Sequence, residues 1–228
     1  IINPSGVRVG PVPEILGPHR FRIGQTEILL YYGEPSPYSI SQEIYIDLLP
    51  VESYLTEGIW RIVLSAGKIV TGQYEMWLPS DNVLNRGTGF LFPTDATTLT
   101  IPSSASRAIS VAAYDARTFS YADFSGRGFT RLTNMVKPDL VAPGVEVMTT
   151  TVGGGYAAFT GTSFATPFVT GSAALLMEWG IVKGNDQYMY GEKLKAYLIN
   201  GATRVGNVWP DSARGWGELC VAASIPAK

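Results

Sequence analysis

The stretch FTGTSFATPFVTGSAALLMEWG, Phe159 to Gly180, decides how the second half of the chain folds. A turn of small residues carries one serine, Ser163, and runs directly into a long apolar segment with Pro167 near its start. Serine is a favoured cap at a helix N-terminus, and the first helical turn tolerates proline, so a purely structural role explains both. The pattern predicts a helix over Phe164–Trp179 with almost no polar face, which we expect to be buried.

Other features of the same turn indicate a nucleophile. Gly161 and Ala165 flank Ser163 with almost no side chain, which leaves room for a substrate backbone to reach the hydroxyl. A helix N-terminus also presents free N–H groups and the positive end of the helix dipole, and both favour a developing oxyanion. A buried helix behind the serine would hold that geometry rigidly.

The string from Gly161 to Ser172 resembles the nucleophile motif of the subtilisin-like serine proteases (subtilases), which reads Gly-Thr-Ser-x-Ala-x-Pro-x-Val-x-Gly. The matching residues are Gly161, Thr162, Ser163, Ala165, Pro167, Val169 and Gly171. Further stretches resemble the family in the same order, namely ISVAAYD with ADFSGRGFT (109–130), KPDLVAPGVEV (137–147) and GWGELCVAASI (215–225). Many subtilases have a histidine after the motif proline, where this chain has Phe168, but that histidine is not catalytic in the family.

The resemblance implies a serine endopeptidase that acts on peptide or protein substrates and requires no cofactor. In this interpretation Ser163 is the nucleophile, its backbone N–H donates to the oxyanion, and the Thr162 hydroxyl gives oxyanion support. The family is also known for structural calcium ions bound by irregular loops, but no metal ligand can be assigned from this sequence. A bacterial extracellular or spore-associated setting is what the resemblance implies for location.

A serine nucleophile needs a base, and the base needs an orienting acid. The only histidine is His19, in GPHR. No histidine follows Ser163, so the order serine, acid, histidine is impossible, and His19 lacks the signature of the chymotrypsin-like order. We expect His19 to be a surface histidine beside a turn. The aspartates at 115, 123 and 211 are expected to be solvated or capping, and Asp139 to be structural.

In subtilases the acid, the histidine and the oxyanion asparagine all precede the nucleophile motif, and none of these motifs is found here. The resemblance therefore implies that sequence upstream of this chain supplies them and that the isolated chain is inactive. An alternative of a different class is a pseudoprotease, which keeps the fold and the serine but acts as a binding or regulatory protein. Asp and His motifs in the upstream sequence would mean an enzyme, and their absence a scaffold.

The N-terminal part, 1–98, has a different pattern. Short alternating or β-branched runs at 27–32, 43–49, 59–64 and 72–78 predict half-buried antiparallel strands. The phrase from Gly58 to Ser80 resembles the jelly-roll insertion of some clostridial subtilases, including the spore-germination type. A third hypothesis is that this segment binds glycans through Trp60 and Trp77, although tryptophans in strand patterns are more often core.

The opening IINPSGVRV is typical of a strand, a turn and a second strand, so the β segment is expected to be incomplete at its N-terminus. An open sheet edge needs cover. The expected partner is the missing N-terminal half or a symmetry-related chain.

From about Leu99 the pattern becomes mixed α/β. The runs Ala108–Asp115 and Lys137–Pro143 lack alternation, which is typical of strands covered on both faces. A second helix is predicted in GEKLKAYLINGA, with Gly201 as its C-cap. The predicted fold is therefore an α/β subtilisin-like three-layer half-domain over 99–228, a parallel sheet plus the buried nucleophile helix, preceded by the jelly-roll-like segment.

Composition excludes several function classes. The chain has 228 residues, 46% of them apolar, and a net charge of −2, which gives no reason to expect a nucleic-acid partner. It has no uninterrupted apolar run of about 18 residues, so no membrane span is predicted. A single cysteine, Cys220, excludes an internal disulfide, and no His, Cys and Asp cluster has the spacing of a transition-metal site.

Overall fold

The structure is a computed structural model that describes residues 1–35, 41–70, 72–79, 83–131 and 133–226. It divides into two compact units, Ile1–Trp77 and Leu78–Lys228. Each unit is described by itself below. The assignment of 1–98 to an insertion and of 99–228 to a catalytic domain stays a prediction.

The first unit contains a three-stranded antiparallel sheet of order β1-β2-β3. Its strands are β1 (Gly17–Ile23), β2 (Thr26–Tyr32) and β3 (Ile44–Pro50), which confirms the strands predicted at 27–32 and 43–49. β1 and β2 form a hairpin whose last pair is Ile23 opposite Thr26. The tight turn between them requires Gly24, which has a φ of +57°.

The opening residues fold back on themselves, as the turn signal predicts. The Gly6 N–H donates to the Asn3 carbonyl at 3.0 Å, and the Val9 N–H donates to the Ile1 carbonyl at 2.9 Å. Ile2 also pairs with Arg61 through two backbone hydrogen bonds. The turn is confirmed, but its flanks form only an isolated bridge between Ile2 and Arg8, so the prediction of two strands in this segment is wrong.

The predictions of strands at 59–64 and 72–78 are wrong. Arg61 forms an isolated bridge with Ile2, and residues 72–79 form no strand. A strand is stable only when a neighbour accepts its backbone hydrogen bonds. Among the described residues, the only β-bridge to either run is the one between Ile2 and Arg61. The jelly-roll arrangement therefore stays a prediction.

The two tryptophans of this region differ in environment. Trp77 is exposed, so the expectation that it belongs to a core is wrong. Trp60 is half-buried, and its Nε1–H donates to the Thr56 carbonyl at 3.0 Å.

The second unit is built on a small mixed sheet of order β5-β4-β6. β4 (Val111–Asp115) pairs in parallel with β6 (Leu140–Pro143) and antiparallel with β5 (Ser120–Tyr121). The inner residues of β4 and β6 are buried, which confirms the two covered strands that the sequence predicts. A separate hairpin consists of β7 (Val147–Thr150) and β8 (Tyr156–Phe159).

Three helices complete this unit. They are α1 (Thr162–Met177), which continues as a π-helical segment over Glu178–Val182, α2 (Gly191–Asn200) and α3 (Val221–Ser224). Gly201 ends α2 as predicted, with its N–H donated to the Tyr197 carbonyl at 3.0 Å. A Cβ at Gly201 would lie 2.3 Å from the Ser224 Oγ, so the approach of α3 also requires glycine there.

The prediction that α1 is buried on all sides is wrong for this chain. Only a stripe of Ala165, Val169, Ser172 and Leu176 is buried, at the spacing of one helix face that packs on β4 and β6. The other face carries exposed apolar side chains, including Phe168 and Leu175. The physical reason is that β4, β6, α2 and α3 of this unit pack on α1 and leave side chains such as Phe168 and Leu175 exposed.

The helix that runs over Thr162–Val182 is long and apolar enough to cross a membrane, by length and composition alone. The same test is passed by the core helix of a globular domain. This helix has a face packed on β4, β6 and α2, as a core helix does.

Candidate active site

Ser163 occupies the second position of α1 and does not cap it. The N-cap is Gly161, and no side chain caps the helix. The Ser163 hydroxyl is exposed and has no hydrogen-bond partner among the residues that the structure describes. The structural explanation of this serine as a helix cap is therefore wrong.

Pro167 lies inside α1, one turn later than the first-turn position that the sequence indicated. An N–H at this position would donate to the carbonyl four residues earlier, which is that of Ser163. Proline therefore leaves the Ser163 carbonyl without its helical partner. The helix continues through this point to Met177.

The carboxyl ends of two parallel strands hold the serine turn. The Gly161 N–H donates to the Gly144 carbonyl at 2.8 Å, and the Gly144 N–H donates to the Tyr114 carbonyl at 3.0 Å. Tyr114 belongs to β4, and Gly144 directly follows β6. Ligand sites in α/β sheets lie at this edge, outside the carboxyl ends of the strands.

Gly161 and Gly144 are glycines for different reasons. Gly161 has a φ of +153°, a backbone conformation that residues with a Cβ rarely adopt. Gly144 has no such constraint, but a Cβ there would lie 2.5 Å from the Ala113 Cβ and 3.1 Å from the Gly161 carbonyl oxygen. The turn is thus packed directly on the sheet.

The serine opens into a cleft of about 220 Å³. One side of this cleft is the first turn and a half of α1, and the other is the segment that leads into β4. The lining residues are Pro102, Ser103, Ala108, Ile109, Val111, Thr162, Ser163 and Thr166. Thr162, the predicted oxyanion support, therefore lies beside Ser163 in the same cleft.

The backbone of the first turn can accept an anion. The Ser163 N–H has no acceptor within the described part of the chain, as is usual for the first N–H groups of a helix. Such N–H groups and the helix dipole together stabilise negative charge at this point. An oxyanion formed next to the Ser163 hydroxyl would meet this donor.

A group of three charged side chains, two of them buried, contacts the segment that forms the other side of the cleft. Asp139 accepts from the Lys137 ammonium at 2.7 Å and from the Lys195 ammonium at 2.7 Å, and its Oδ2 also accepts from the Ser110 N–H at 2.7 Å. Lys137 is fully buried, and burial lowers its pKa below the ordinary lysine value because desolvation disfavours the charged form. Asp139 therefore has the structural role that the sequence analysis expected.

Sequence reasoning did not identify Lys195. It lies on α2, far along the chain from Asp139, and nothing in its local sequence distinguishes it from the neighbouring Lys193. The general rule that buried charges are paired could have indicated it. If Lys137 and Asp139, two residues apart in KPDL, are both buried, the carboxylate has lone pairs that need a further donor.

His19 lies in β1, in the unit Ile1–Trp77, and is half-buried. Its Nε2 is 2.6 Å from the Ile15 carbonyl oxygen, and its ring stacks on Phe21 with centroids 6.3 Å apart. Both contacts are local. No acidic side chain contacts the imidazole among the described residues, so the structure shows no orienting acid for it.

The aspartates at 115, 123 and 211, which the sequence analysis expected to be solvated or capping, have such roles. Asp123 is exposed. The Asp211 Oδ1 accepts the backbone N–H groups of Ala213 and Arg214, each at 2.7 Å, which is a capping arrangement. Asp115 pairs with Arg117 at the surface. Within residues 1–35, 41–70, 72–79, 83–131 and 133–226, no group of three His, Cys, Asp or Glu side chains is placed to hold a metal ion.

Comparison with known proteins agrees with this site. The sequence model of the Subtilase family matches residues 61–217. The Minor extracellular protease Vpr of Bacillus subtilis (strain 168) is 32% identical over 120 residues, which are 46% of this chain and 14% of that protein. The Alkaline elastase YaB of Bacillus sp. (strain YaB) is 46% identical over 69 residues, which are 30% of this chain and 17% of that protein.

A solved structure covers nearly the whole chain. The Clostridium perfringens CspB protease superposes with a TM-score of 0.81 and 34% identity, over 98% of this chain and 47% of that one. The chain thus spans about half the length of this structural neighbour and a smaller part of the two sequence relatives. The family match covers more than half of the chain and includes the serine turn, so the chain belongs to the subtilase family of serine proteases.

Proposed function

We propose that this chain is part of a serine endopeptidase and that Ser163 attacks the carbonyl carbon of the scissile peptide bond. The observation that carries the proposal is the position of Ser163. Its exposed hydroxyl has no partner in the described structure and opens into a cleft at the N-terminus of α1. A serine kept for structure would instead cap the helix or bond back to its backbone.

The tetrahedral intermediate carries a negative oxygen, which the Ser163 N–H would bind. The Thr162 hydroxyl lies in the same cleft and would give further support. Donors held in place before the reaction stabilise this charge without reorganisation in the transition state. In this role the contacts of Gly161 and Gly144 with the strand ends keep the donors in position.

The base and the acid come from outside the 228 residues in this proposal. His19 makes only local contacts, and no acidic side chain of the described chain is arranged with a histidine as a triad. Upstream sequence would supply the Asp, the His and the asparagine donor, as in other subtilases. The same upstream part, or a symmetry-related chain, would cover the open edges of the first sheet, where β1 and β3 each lack a second neighbour among the described residues.

The test is active-site labelling of the full-length protein with a fluorophosphonate probe. We expect one label, located on the peptide that contains Ser163, and none in Ser163→Ala. We expect Thr162→Val to lower the labelling rate by about 10- to 100-fold, because it removes one contributor to oxyanion stabilisation. A labelled serine elsewhere would overturn the assignment.

The matched control is Ser172→Ala. Ser172 lies on the same helix, is buried, and donates its hydroxyl to the Phe168 carbonyl at 2.8 Å. Its loss is expected to leave the labelling of Ser163 unchanged. A folded full-length protein that takes no label would instead support the pseudoprotease alternative, in which the fold serves binding or regulation.

A further inference from the structure

The wall of the cleft opposite Ser163 has no regular secondary structure. This wall belongs to residues 101–110, which form turns and bends and lead into β4. The Ala105 N–H donates to the Pro102 carbonyl at 2.9 Å, and the Ser110 hydroxyl donates to the Ser103 carbonyl. These two bonds are local, and the direct backbone ties to the rest of the unit are at the end of the segment, where the Ser110 carbonyl accepts the N–H groups of Asp139 at 2.8 Å and Leu140 at 3.3 Å.

Two lysines, Lys137, which is buried, and Lys195, which is half-buried, connect the part of the wall before Ser110. The Lys195 ammonium donates to the carbonyl oxygens of Ser106 at 3.2 Å and of Ala108 at 3.1 Å. The Lys137 ammonium donates to the same Ala108 carbonyl at 2.5 Å. Ala108 and its neighbour Ile109 line the cleft that contains Ser163. The wall is therefore held from behind by ammonium groups of α2 and of the segment before β6.

The charge balance shows why these carbonyls matter. Lys137, Asp139 and Lys195 together carry a charge of +1 in an interior where Lys137 and Asp139 are at most 2% exposed. One carboxylate neutralises only one of the two ammonium groups. The Lys195 side chain is 15% exposed, so solvent reaches part of its charge, and the carbonyl oxygens of Ser106 and Ala108 supply its further acceptors within the protein. The cluster and the wall thus depend on one another.

We propose that Lys195, Lys137 and Asp139 are positioning residues that fix the 103–109 wall of the Ser163 cleft and thereby set how tightly substrate binds. The proposal rests on the proposed function of Ser163 as the nucleophile. None of the three side chains lines the cleft. They act through the backbone of the wall, which a bound peptide segment would contact.

The test compares Lys195→Met with Lys193→Met in the full-length protein. Lys193 lies on the same helix and is also ion-paired, but its partner is Asp186, outside the wall. The measurements report on the backbone of the wall and on the reactivity of the site. One is hydrogen–deuterium exchange of the 103–110 amides, and the other is steady-state hydrolysis of a peptide substrate alongside labelling by a small fluorophosphonate.

For Lys195→Met we expect exchange in 103–110 to become about tenfold faster or more, while the α1 amides stay unchanged. We expect KM for the peptide to rise about tenfold with little change in kcat, because the wall binds ground state and transition state alike. Labelling by the small probe is expected to stay within about twofold, since that probe needs only the serine and its oxyanion donors. Lys193→Met is expected to match the parent protein in every readout.

Lys195→Arg restores a cation with donors and is expected to bring exchange and KM most of the way back. Should Lys195→Met fail to fold, Lys195→Gln keeps a donor on a shorter side chain and is measured in its place. Unchanged exchange in 103–110 would overturn the proposal. So would equal losses in peptide hydrolysis, small-probe labelling and thermal stability, because these indicate a merely structural role.

Failure of the proposed function has a different appearance. In that case the parent full-length protein neither hydrolyses peptides nor takes the label at Ser163. The exchange experiment still decides whether the three charged residues hold the wall.

Discussion

The turn that carries Ser163 depends on two glycines, Gly144 and Gly161. Gly144 lets the segment after β6 lie against Ala113, and its carbonyl then accepts the Gly161 N–H. The motif Gly-Thr-Ser made Gly161 predictable from the sequence. The close approach at Gly144 was not predictable, because it depends on the distance between two strands rather than on neighbours in the chain.

Gly144→Ala tests this packing. The new Cβ would lie 2.5 Å from the Ala113 Cβ, so one of the two strand ends must shift. We expect the free energy of unfolding to fall by about 1–3 kcal/mol, the usual cost of overpacking a closely packed contact. We also expect slower labelling of Ser163, because the Gly161 turn moves with its acceptor. Chemical denaturation and probe kinetics measure the two effects.

Gly89→Ala is the control for that substitution. It lies in the same unit, and a Cβ there would meet nothing within 4 Å. Its effect on stability is expected to stay within about 0.5 kcal/mol, as for most surface substitutions. A Gly144→Ala variant as stable and as reactive as Gly89→Ala would show that the turn does not need this contact.

At the scale of elements, the turn after β4 is stabilised by one carboxylate. The Asp115 Oδ1 accepts the Arg117 backbone N–H at 2.9 Å and its Nε–H at 3.1 Å, and the Oδ2 accepts from the same guanidinium at 2.8 Å. The side-chain hydrogen bonds from Arg117, followed by the backbone one, lower the pKa of Asp115 from 3.8 to about 2. The stability that this carboxylate gives to the turn therefore depends on pH.

The sign of this linkage follows from the direction of the shift. The ionised form of Asp115 is more favourable in the folded state than in the unfolded state. Its contribution to folding stability is therefore fully present above pH 3.8. It is lost as the pH falls from 3.8 through about 2. We expect an NMR titration of the Asp115 carboxyl carbon to have its midpoint near 2 in the parent protein.

In Arg117→Met we expect that midpoint to rise toward 3.8, because the side-chain donors are gone and only the backbone N–H remains. A parent midpoint close to 3.8, or an unchanged midpoint in the variant, would contradict the assignment of the shift to Arg117.

The elements that the sequence predicted correctly are those whose patterns are local. β2 alternates in burial, β3 begins with β-branched and aromatic residues, β4 and β6 have buried inner residues, and α2 has helical spacing with a glycine at its end. The runs at 59–64 and 72–78 have similar local patterns but form no ladder. Strand propensity does not supply a partner for the backbone, and that partner is a property of the whole fold.

The helix α1 also shows that a local pattern does not determine what packs against an element. Its composition predicted burial on every face, and the described chain covers only the stripe from Ala165 to Leu176. Composition gives the apolar residues of a helix but not which of its faces the rest of the fold covers.

For the candidate site, the sequence analysis singled out Ser163 and Thr162 but not the wall. Ser163 and Thr162 belong to a compact motif, which can be identified from twelve consecutive residues. The wall is held by Lys195, Lys137 and Asp139, from two parts of the chain that only the fold brings together. Side chains that meet across such distances leave no periodicity and no spacing to detect.

At the scale of the whole molecule, the exposed face of α1 indicates what the isolated chain will do. Phe168 and Leu175, seven residues apart on the same side of the helix, are 43% and 49% exposed. In the proposed function, the part of the protein outside this chain supplies the base and acid that Ser163 needs. Apolar side chains on the helix that presents the serine are a natural surface for that part to cover, because burying them is favourable.

We therefore expect residues 1–228 expressed alone to bind an apolar dye such as ANS and to self-associate, with Ser163 unreactive toward fluorophosphonates. Adding the separately expressed upstream part is expected to abolish dye binding and to restore labelling together, because one docking event would cover the helix and complete the triad. Leu175→Gln should weaken this docking, whereas Lys183→Gln, an exposed substitution just beyond the helix, should not. A lone chain that is monomeric, does not bind the dye and already labels at Ser163 would show that the base lies within these residues and that the apolar face needs no partner.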